Sequence, residues 1–467
     1  MIFAGYLFTL ITGIMLYFVP RRWAMLPLLM GVAYMTRGQV LDIGSLHFPV
    51  IRILIAIGFV RVILKGERIT GGTNHLDWLL ILWAAYLVGS SVFHTSDAWV
   101  FRSGLVWTEL GSYFLFRVFI RDFEDICHLF KMICVLLVPV AVAMLLEKMT
   151  GNNCFVEFGG VSPEALIRHG HFRAQGPFAH AILAGTVGAT CLLMALVLWR
   201  GDRKLAWTGM CATSGIVFAS GSTGPVTTAL TGFAAMVLWK RRHYLRMLCW
   251  AAVLLIIALD LVMKDPVYYL LARIDITGGS TGWHRAALIQ AAIEHLDEWW
   301  LAGTDYTRHW MPSGIPASEI HTDITNHYLM MGVYGGLPLM LLFIWVIFAA
   351  FGIVSKALLL NQNAPIERHF LIWTLGSILF AHATTFFSIS YFDQSVVFLE
   401  LLFACIGALP AMKPAVAPAF REIGRTEQRY VKFHRNQQRT QFPMTPRFEG
   451  RLNPASFRRR NRTHHAS

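Results

Sequence analysis

Uncharged apolar runs of about twenty residues recur along most of this chain, and no other feature limits its fold so severely. One reads "FAGYLFTLITGIMLYFVP" from Phe3, another "AILAGTVGATCLLMALVLW" from Ala181. As a helix, such a run crosses about 30 Å of hydrocarbon. Backbone amides in lipid must be satisfied inside a helix or a closed barrel. The runs are continuous rather than alternating with period two, which excludes a barrel. The 467 residues are 55% hydrophobic and only 14% charged, where a soluble protein carries about 25%. The expectation is an all-α polytopic membrane bundle.

Candidate spans fall at 2–19, 23–36, 46–64, 77–94, 104–120, 126–147, 177–199, 205–220, 224–239, 245–263, 327–354, 369–389 and 394–411. The second is short, so the count is twelve or thirteen. Basic residues cluster in alternate short loops: Arg21 and Arg22, Lys65 and Arg68, Arg121, Arg200 to Lys204, Lys240 to Arg242, Lys356 and Arg368. By the positive-inside rule these loops are cytoplasmic and the N-terminus faces out. The N-terminal run has no basic residues before it and no small-residue cleavage site after it, so it reads as a retained span. The formal charge of +13 is concentrated from Lys413 onward, where thirteen Lys and Arg meet three Glu. The organisation expected is a membrane domain over 1–412 and a basic, disordered cytoplasmic tail over 413–467. The tail's bland role is to fix topology. The cysteines lie mostly within apolar runs and suggest no disulfide framework.

Two longer loops, 148–176 and 264–326, face outward on this topology. The second is large enough for short helices, and "STGWHRAALIQAAIEHLDEWW" reads as a helix starting near Trp283, with Ser280 or Thr281 as cap. The first loop ends in "RHGHFRAQGPFAH", two arginines and three histidines at the mouth of the seventh span. Snorkelling to the headgroups is the plain reading of such residues, yet basic residues are sparse on this face. Arg173 and His180, flanking a Gly176–Pro177 turn, are the candidates, with Arg168, His169 and His171 read as solvated. Arg285 lies near the start of the loop helix, where an anion is favoured. Arg308 and His309, in "GTDYTRHW", are weaker candidates, and Arg52, near the outer end of its span, could join the same cationic site. His321, Asp323, Asn326 and His327 stand at the start of the eleventh span. A histidine there could take a proton from a hydroxyl, or the group could simply cap the helix. Arg52, Glu109, His382 and Glu400 are ionisable residues within apolar runs, where function or mutual pairing is expected. No HxxxH or HExxH spacing supports a metal, and no cofactor or nucleic acid is implied. An anionic lipid headgroup would satisfy the outer cations.

Four stretches in order, "FRAQGPFAHAILAG", "ASGSTGP", "STGWHRAALIQAAIEHLDEWWLAGT" and "DITNHYLMMGVYGGLPLMLL", resemble the motifs of the bacterial O-antigen ligase and O-antigen polymerase superfamily over about residues 100–400. The resemblance implies a multi-pass glycosyltransferase of the inner membrane, acting at its periplasmic face without metal. The implied donor is a glycan on undecaprenyl pyrophosphate. The acceptor is lipid A–core for a ligase, or another lipid-linked glycan for a polymerase. Carried over by motif, Arg173 and Arg285 would hold the pyrophosphate. The family's last motif places His before Asn, but here Thr325 precedes Asn326, leaving His321 or His327 as the base. "ASGSTGP" also lacks the arginine often found after that serine. The reading from another class is a multi-span solute or ion transporter, although paired broken spans and repeat symmetry are not evident.

Overall fold

A computed structural model describes residues 1–44, 46–168, 170–273 and 282–412. The readings of the basic tail, of His169, and of Ser280 or Thr281 as a cap lie outside the described residues. Those described are 73% helix and 4% strand. In order, they form α1 (Phe3–Phe18), α2 (Met25–Tyr34), β1 (Val40–Ile43), β2 (Leu46–Pro49), α3 (Val50–Lys65), α4 (His75–Gly89), α5 (Ala98–Phe119) and α6 (Phe123–Thr150). Then come β3 (Leu166–Arg168), β4 (His171–Arg173), α7 (Ala181–Val197), α8 (Arg203–Ser220), α9 (Thr223–Val237) and α10 (Leu245–Val262). The last are α11 (Leu270–Arg273), α12 (Gly282–Glu294), α13 (Leu296–Trp299), α14 (His327–Leu360), α15 (Ile366–Thr385) and α16 (Val396–Ala408).

Each of the thirteen candidate spans contains a helix, but length separates them. Among the described residues, four helical stretches are long and apolar enough to cross a membrane alone: His75–Phe93, Phe123–Thr150, Ala181–Arg200 and His327–Leu360. The bent pair Thr223–Tyr244 and Met247–Val262 makes a fifth if it is one span. The ten residues of α2 reach only about 15 Å. α5 is long, but Arg102, Glu109 and Arg117 interrupt its apolar character. The expected span at 46–64 begins instead as strand β2, paired antiparallel with β1. The expected short helices of the 264–326 loop are present as α11, α12 and α13.

The core is a set of close helix pairs: α6 along α8, α8 along α7, α9 along α15, and α5 along α16. Small residues let backbones approach, as expected where lipid supplies no hydrophobic drive between helices. A Cβ at Gly188 of α7 would lie 2.9 Å from the Thr213 carbonyl of α8. The loops assigned to the cytoplasm meet at one end. There Arg21 and Arg22 bond Asp125 at 2.7 and 2.9 Å, and Arg200 lies 3.9 Å from Glu367.

α14 is broken near its start. Gly335 and Gly336 leave helical geometry, Gly336 with φ +75°, and Pro338 follows. A Cβ at Gly336 would sit 2.5 Å from the Leu301 carbonyl carbon, so that glycine admits the loop backbone. Leu337 N–H then donates to the Trp300 carbonyl at 2.8 Å, and Thr304 N–H to that of Val333 at 3.0 Å. The break locks the 264–326 loop onto a spanning helix.

An ion pair sets the start of α4. Asn74 caps it in a reciprocal box with Asp77. Asp77 accepts from Arg117 Nε at 3.1 Å and Nη2 at 3.2 Å, and from Tyr113 Oη at 2.5 Å. Both charged side chains are fully buried. Removing one partner leaves an uncompensated charge, which costs about 3–5 kcal/mol. Arg117→Ala should therefore lower the unfolding temperature in detergent strongly. Arg117→Met combined with Asp77→Asn should recover part of the loss, and equal losses in the single and double variants would refute the coupling.

Candidate functional site

The stretch "LIRHGHFR" is a β-hairpin, with Leu166 opposite Arg173, Ile167 opposite Phe172 and Arg168 opposite His171. Side chains alternate along a strand, so Arg168, His171 and Arg173 project from one face. Ala174 N–H bonds the Ala219 carbonyl at 3.0 Å, which docks the hairpin on the end of α8. Arg173 is thereby buried, and its Nη2 donates to Ser222 Oγ at 2.6 Å. Its Nε is buried with no partner among the described residues. Lys148 brings a further cation beneath the hairpin, its amine donating to the Phe172 carbonyl at 3.0 Å. The turn expected after it forms at Gly176, with φ +58°. It is held by Glu147, which accepts from the Gln175 and Gly176 amides at 3.0 and 2.8 Å.

His180 is the N-cap of α7, its Nδ1 accepting from Ile182 N–H at 3.1 Å. Burial, then the charges of Arg173 and Arg168, push its pKa down to about 4, so it is neutral near pH 7. Burial and the neighbouring charge of Arg168 also lower Arg173, to about 10, which leaves it protonated.

Arg285 lies in the first turn of α12 and is nine-tenths buried. Its Nε donates to the Ser388 carbonyl at 3.1 Å. Burial and Arg168 lower its pKa, and Asp323 opposes them. Arg168 is thus the group whose field reaches Arg173, His180 and Arg285 alike. Arg168 itself is half-exposed. The anchors converge too. Ser222 is the N-cap residue of α9, but its side chain caps no helix amide. Ile389, one residue beyond Ser388, packs where a Gly224 side chain would be, 2.9 Å from its ideal Cβ. Arg173 is therefore anchored on the N-cap residue of α9, and Arg285 on the connector whose next residue packs against the first turn of that helix, whose partly positive end favours anions.

The remaining candidates serve other contacts. Asp323 stands by Arg285 and His284. Burial raises its pKa while those two groups lower it, and its carbonyl accepts from His284 Nε2 at 2.9 Å. Asn326 is the cap of α14, accepting from Leu329 N–H at 3.1 Å. His327 is buried in an aromatic cage of Phe343, Phe386 and Tyr391. Its Nδ1 accepts from Tyr391 N–H at 3.2 Å. His321 is half-buried and meets Thr307 Oγ1 at 3.4 Å. Burial lowers its pKa and Asp305 opposes this. Arg308 donates to the carbonyls of Met311, Pro312 and Gly314 and so closes its own loop. Arg52 bonds Thr108 Oγ1 and the His47 carbonyl, between α3 and α5 rather than at the α9 end.

Sequence reasoning missed the connector "FSISYFDQS", 387–395. Besides Arg285 it holds Ile324 through Ser390 Oγ at 2.7 Å, Ala179 through Asp393 at 2.8 Å and Pro177 through Gln394 at 2.8 Å. Comparison with protein-family models and with curated proteins finds no match to this chain.

Because the folded state favours neutral His180, it binds fewer protons than the unfolded chain between about pH 4 and 6.5. Stability should then fall as pH falls through that window. His180→Asn keeps a capping acceptor without titrating. Its unfolding temperature should fall less than the wild type's from pH 6.5 to 4.5, and parallel pH profiles would contradict the shift.

Proposed function

We propose that the chain is a lipid-linked glycan transferase of the O-antigen ligase and polymerase type, a bundle of twelve or thirteen spans in the bacterial inner membrane. On this reading the N-terminus and the 264–326 loop are periplasmic and the basic tail is cytoplasmic. The observation that carries it is the pair of buried arginines, Arg173 on the α9 N-cap residue and Arg285 on the connector packed beside it, both under the field of Arg168. Like charges so placed repel one another, and a multivalent anion offsets that repulsion. A pyrophosphate on a polyprenyl tail suits both parts of the site, its charge among guanidiniums and its chain among apolar helices. Undecaprenyl pyrophosphate carrying a glycan is that donor.

The reaction is an inverting, metal-independent displacement. An acceptor hydroxyl, on lipid A–core or on a second lipid-linked glycan, attacks the anomeric carbon. The bond from that carbon to the pyrophosphate oxygen breaks, and the arginines stabilise the charge that develops on the leaving group. The acceptor hydroxyl's proton passes to a histidine. His321 takes that role on this reading, because His327 is caged and its Nδ1 is occupied. Asp323 and Asn326 position the segment rather than react.

A solute or ion transporter has one observation in its favour. Glu109 and Glu400 are buried in the adjoining helices α5 and α16, and one Glu400 oxygen has no partner among the described residues.

With purified protein and a lipid-linked oligosaccharide, Arg173→Ala and Arg285→Ala should each reduce transfer about 10²–10³-fold, as loss of one oxyanion donor does. Cells carrying Arg173→Ala should accumulate the lipid-linked glycan. Growth of the glycan on its carrier would mark a polymerase, and transfer to lipid A–core a ligase. Unchanged transfer in both variants, or labelled-solute uptake that survives them, would reject the reading.

A further inference from the structure

The 264–326 loop carries a second cluster that the arginine site does not use. His295 follows α12, Glu298 lies in α13 and His309 in the turn Arg308–Trp310. Glu298 stands between the two imidazoles: His295 Nδ1 is 2.8 Å from Oε1, while His309 Nε2 is 2.8 Å from Oε2 and 3.0 Å from Oε1. One ligand atom from each residue lies within 4.8 Å of the other two. We propose that His295, Glu298 and His309 bind a zinc ion that fastens the end of α12 to the turn at 308–310.

The donor set is the argument. Two imidazoles and one carboxylate suit Zn²⁺, which takes such ligands at about 2.0–2.2 Å. Tetrahedral bonds of that length separate the ligand atoms by about 3.3 Å. The two histidine–carboxylate gaps need to open by only a few tenths of an ångström, and the imidazoles need to close toward each other. Water fills the fourth position. The outer contacts already orient the ligands. Trp310 Nε1 donates to Glu298 Oε2 at 2.9 Å, and the His309 ring stacks on Tyr306 at 4.8 Å and 12°. Without metal a proton occupies each histidine–carboxylate bond. Zinc takes neutral imidazoles and an ionised carboxylate, so protons compete with it and binding weakens as pH falls. Sequence spacing conceals this site, because His309 lies eleven residues beyond Glu298 and only the fold brings it back. His295 lies ten residues beyond Arg285, about 15 Å along a helix, so the ion steadies the element bearing that arginine and stays outside the chemistry.

Full-length protein in detergent, stripped with a chelator, would be titrated with Zn²⁺ against a chromophoric competitor, and in parallel with Co²⁺ followed by visible absorption. Expected are one tight Zn²⁺ per chain and a tetrahedral Co²⁺ spectrum. His295→Gln and His309→Gln should each weaken the Zn²⁺ affinity more than about tenfold, and Trp310→Phe, which removes an outer contact, by about tenfold. Both histidines are about one-third exposed, so these variants should fold, and their elution profiles check this. Zn²⁺ should raise the unfolding temperature of wild type but not of His309→Gln. Failure of wild type to hold Zn²⁺, or equal affinity in wild type and both histidine variants, would overturn the proposal.

Discussion

The connector between α15 and α16 is the constraint on which the rest of the candidate site depends. A buried guanidinium is tolerated only where acceptors meet it, and Ser388 supplies one to Arg285. The same few residues bind the chain on either side of the site. Phe386 and Tyr391 hold the start of α14 through His327, Ser390 holds Ile324, and Asp393 and Gln394 hold the Pro177–Ala179 turn that leads into α7. Arg37 adds a tie from the far side of the sequence, donating to the Phe392 carbonyl at 2.5 Å. The arginine-bearing elements, the β3–β4 hairpin and α12, are thereby brought to one place by a segment that carries no arginine.

That placement has an electrostatic consequence. Arg168 acts on Arg173, His180 and Arg285 in the same direction, against the charged form. The arginines remain charged and His180 does not, which separates their roles. His180 is a neutral cap, while the guanidiniums hold a standing positive field at the α9 end. Asp323 is the acid that tempers it, and Glu147 is occupied by the backbone amides of the Gln175–Gly176 turn.

The legible part of this molecule is the part built from local rules. Helices emerged at all thirteen apolar runs because twenty apolar residues in lipid have one backbone solution. A helix through Trp283 and the Gly176 turn followed from helical patterning and glycine chemistry. Crossing length was less legible where charges or short runs intervened, as in α5 and in α2, whose run was already short. Motif order singled out Arg173 and Arg285, both of which the fold buries, but not the bonds that hold them. Arg168 depends on a hairpin too short to register as a strand pair, and Ser388 lies 103 residues from Arg285. His327 shows why position in a motif is weaker than environment. Its place at the start of α14 suits a base, but Phe386, Phe343 and Tyr391 enclose it.

The break in α14 ties these pieces into one mechanical unit. Gly335 and Gly336 interrupt the helix where Trp300 and Leu301 of the loop pass, and Leu337 N–H bonds the Trp300 carbonyl instead of completing an unbroken helix. α13 ends one residue earlier, at Trp299, and Trp299 Nε1 donates to the Ala292 carbonyl of α12 at 2.8 Å. The loop helix bearing Arg285 is therefore held at its start by His284 on the Asp323 carbonyl and at its end through Trp299 against α14. Two anchors prevent a thirteen-residue helix from pivoting. A helix so held presents its arginine in a fixed orientation.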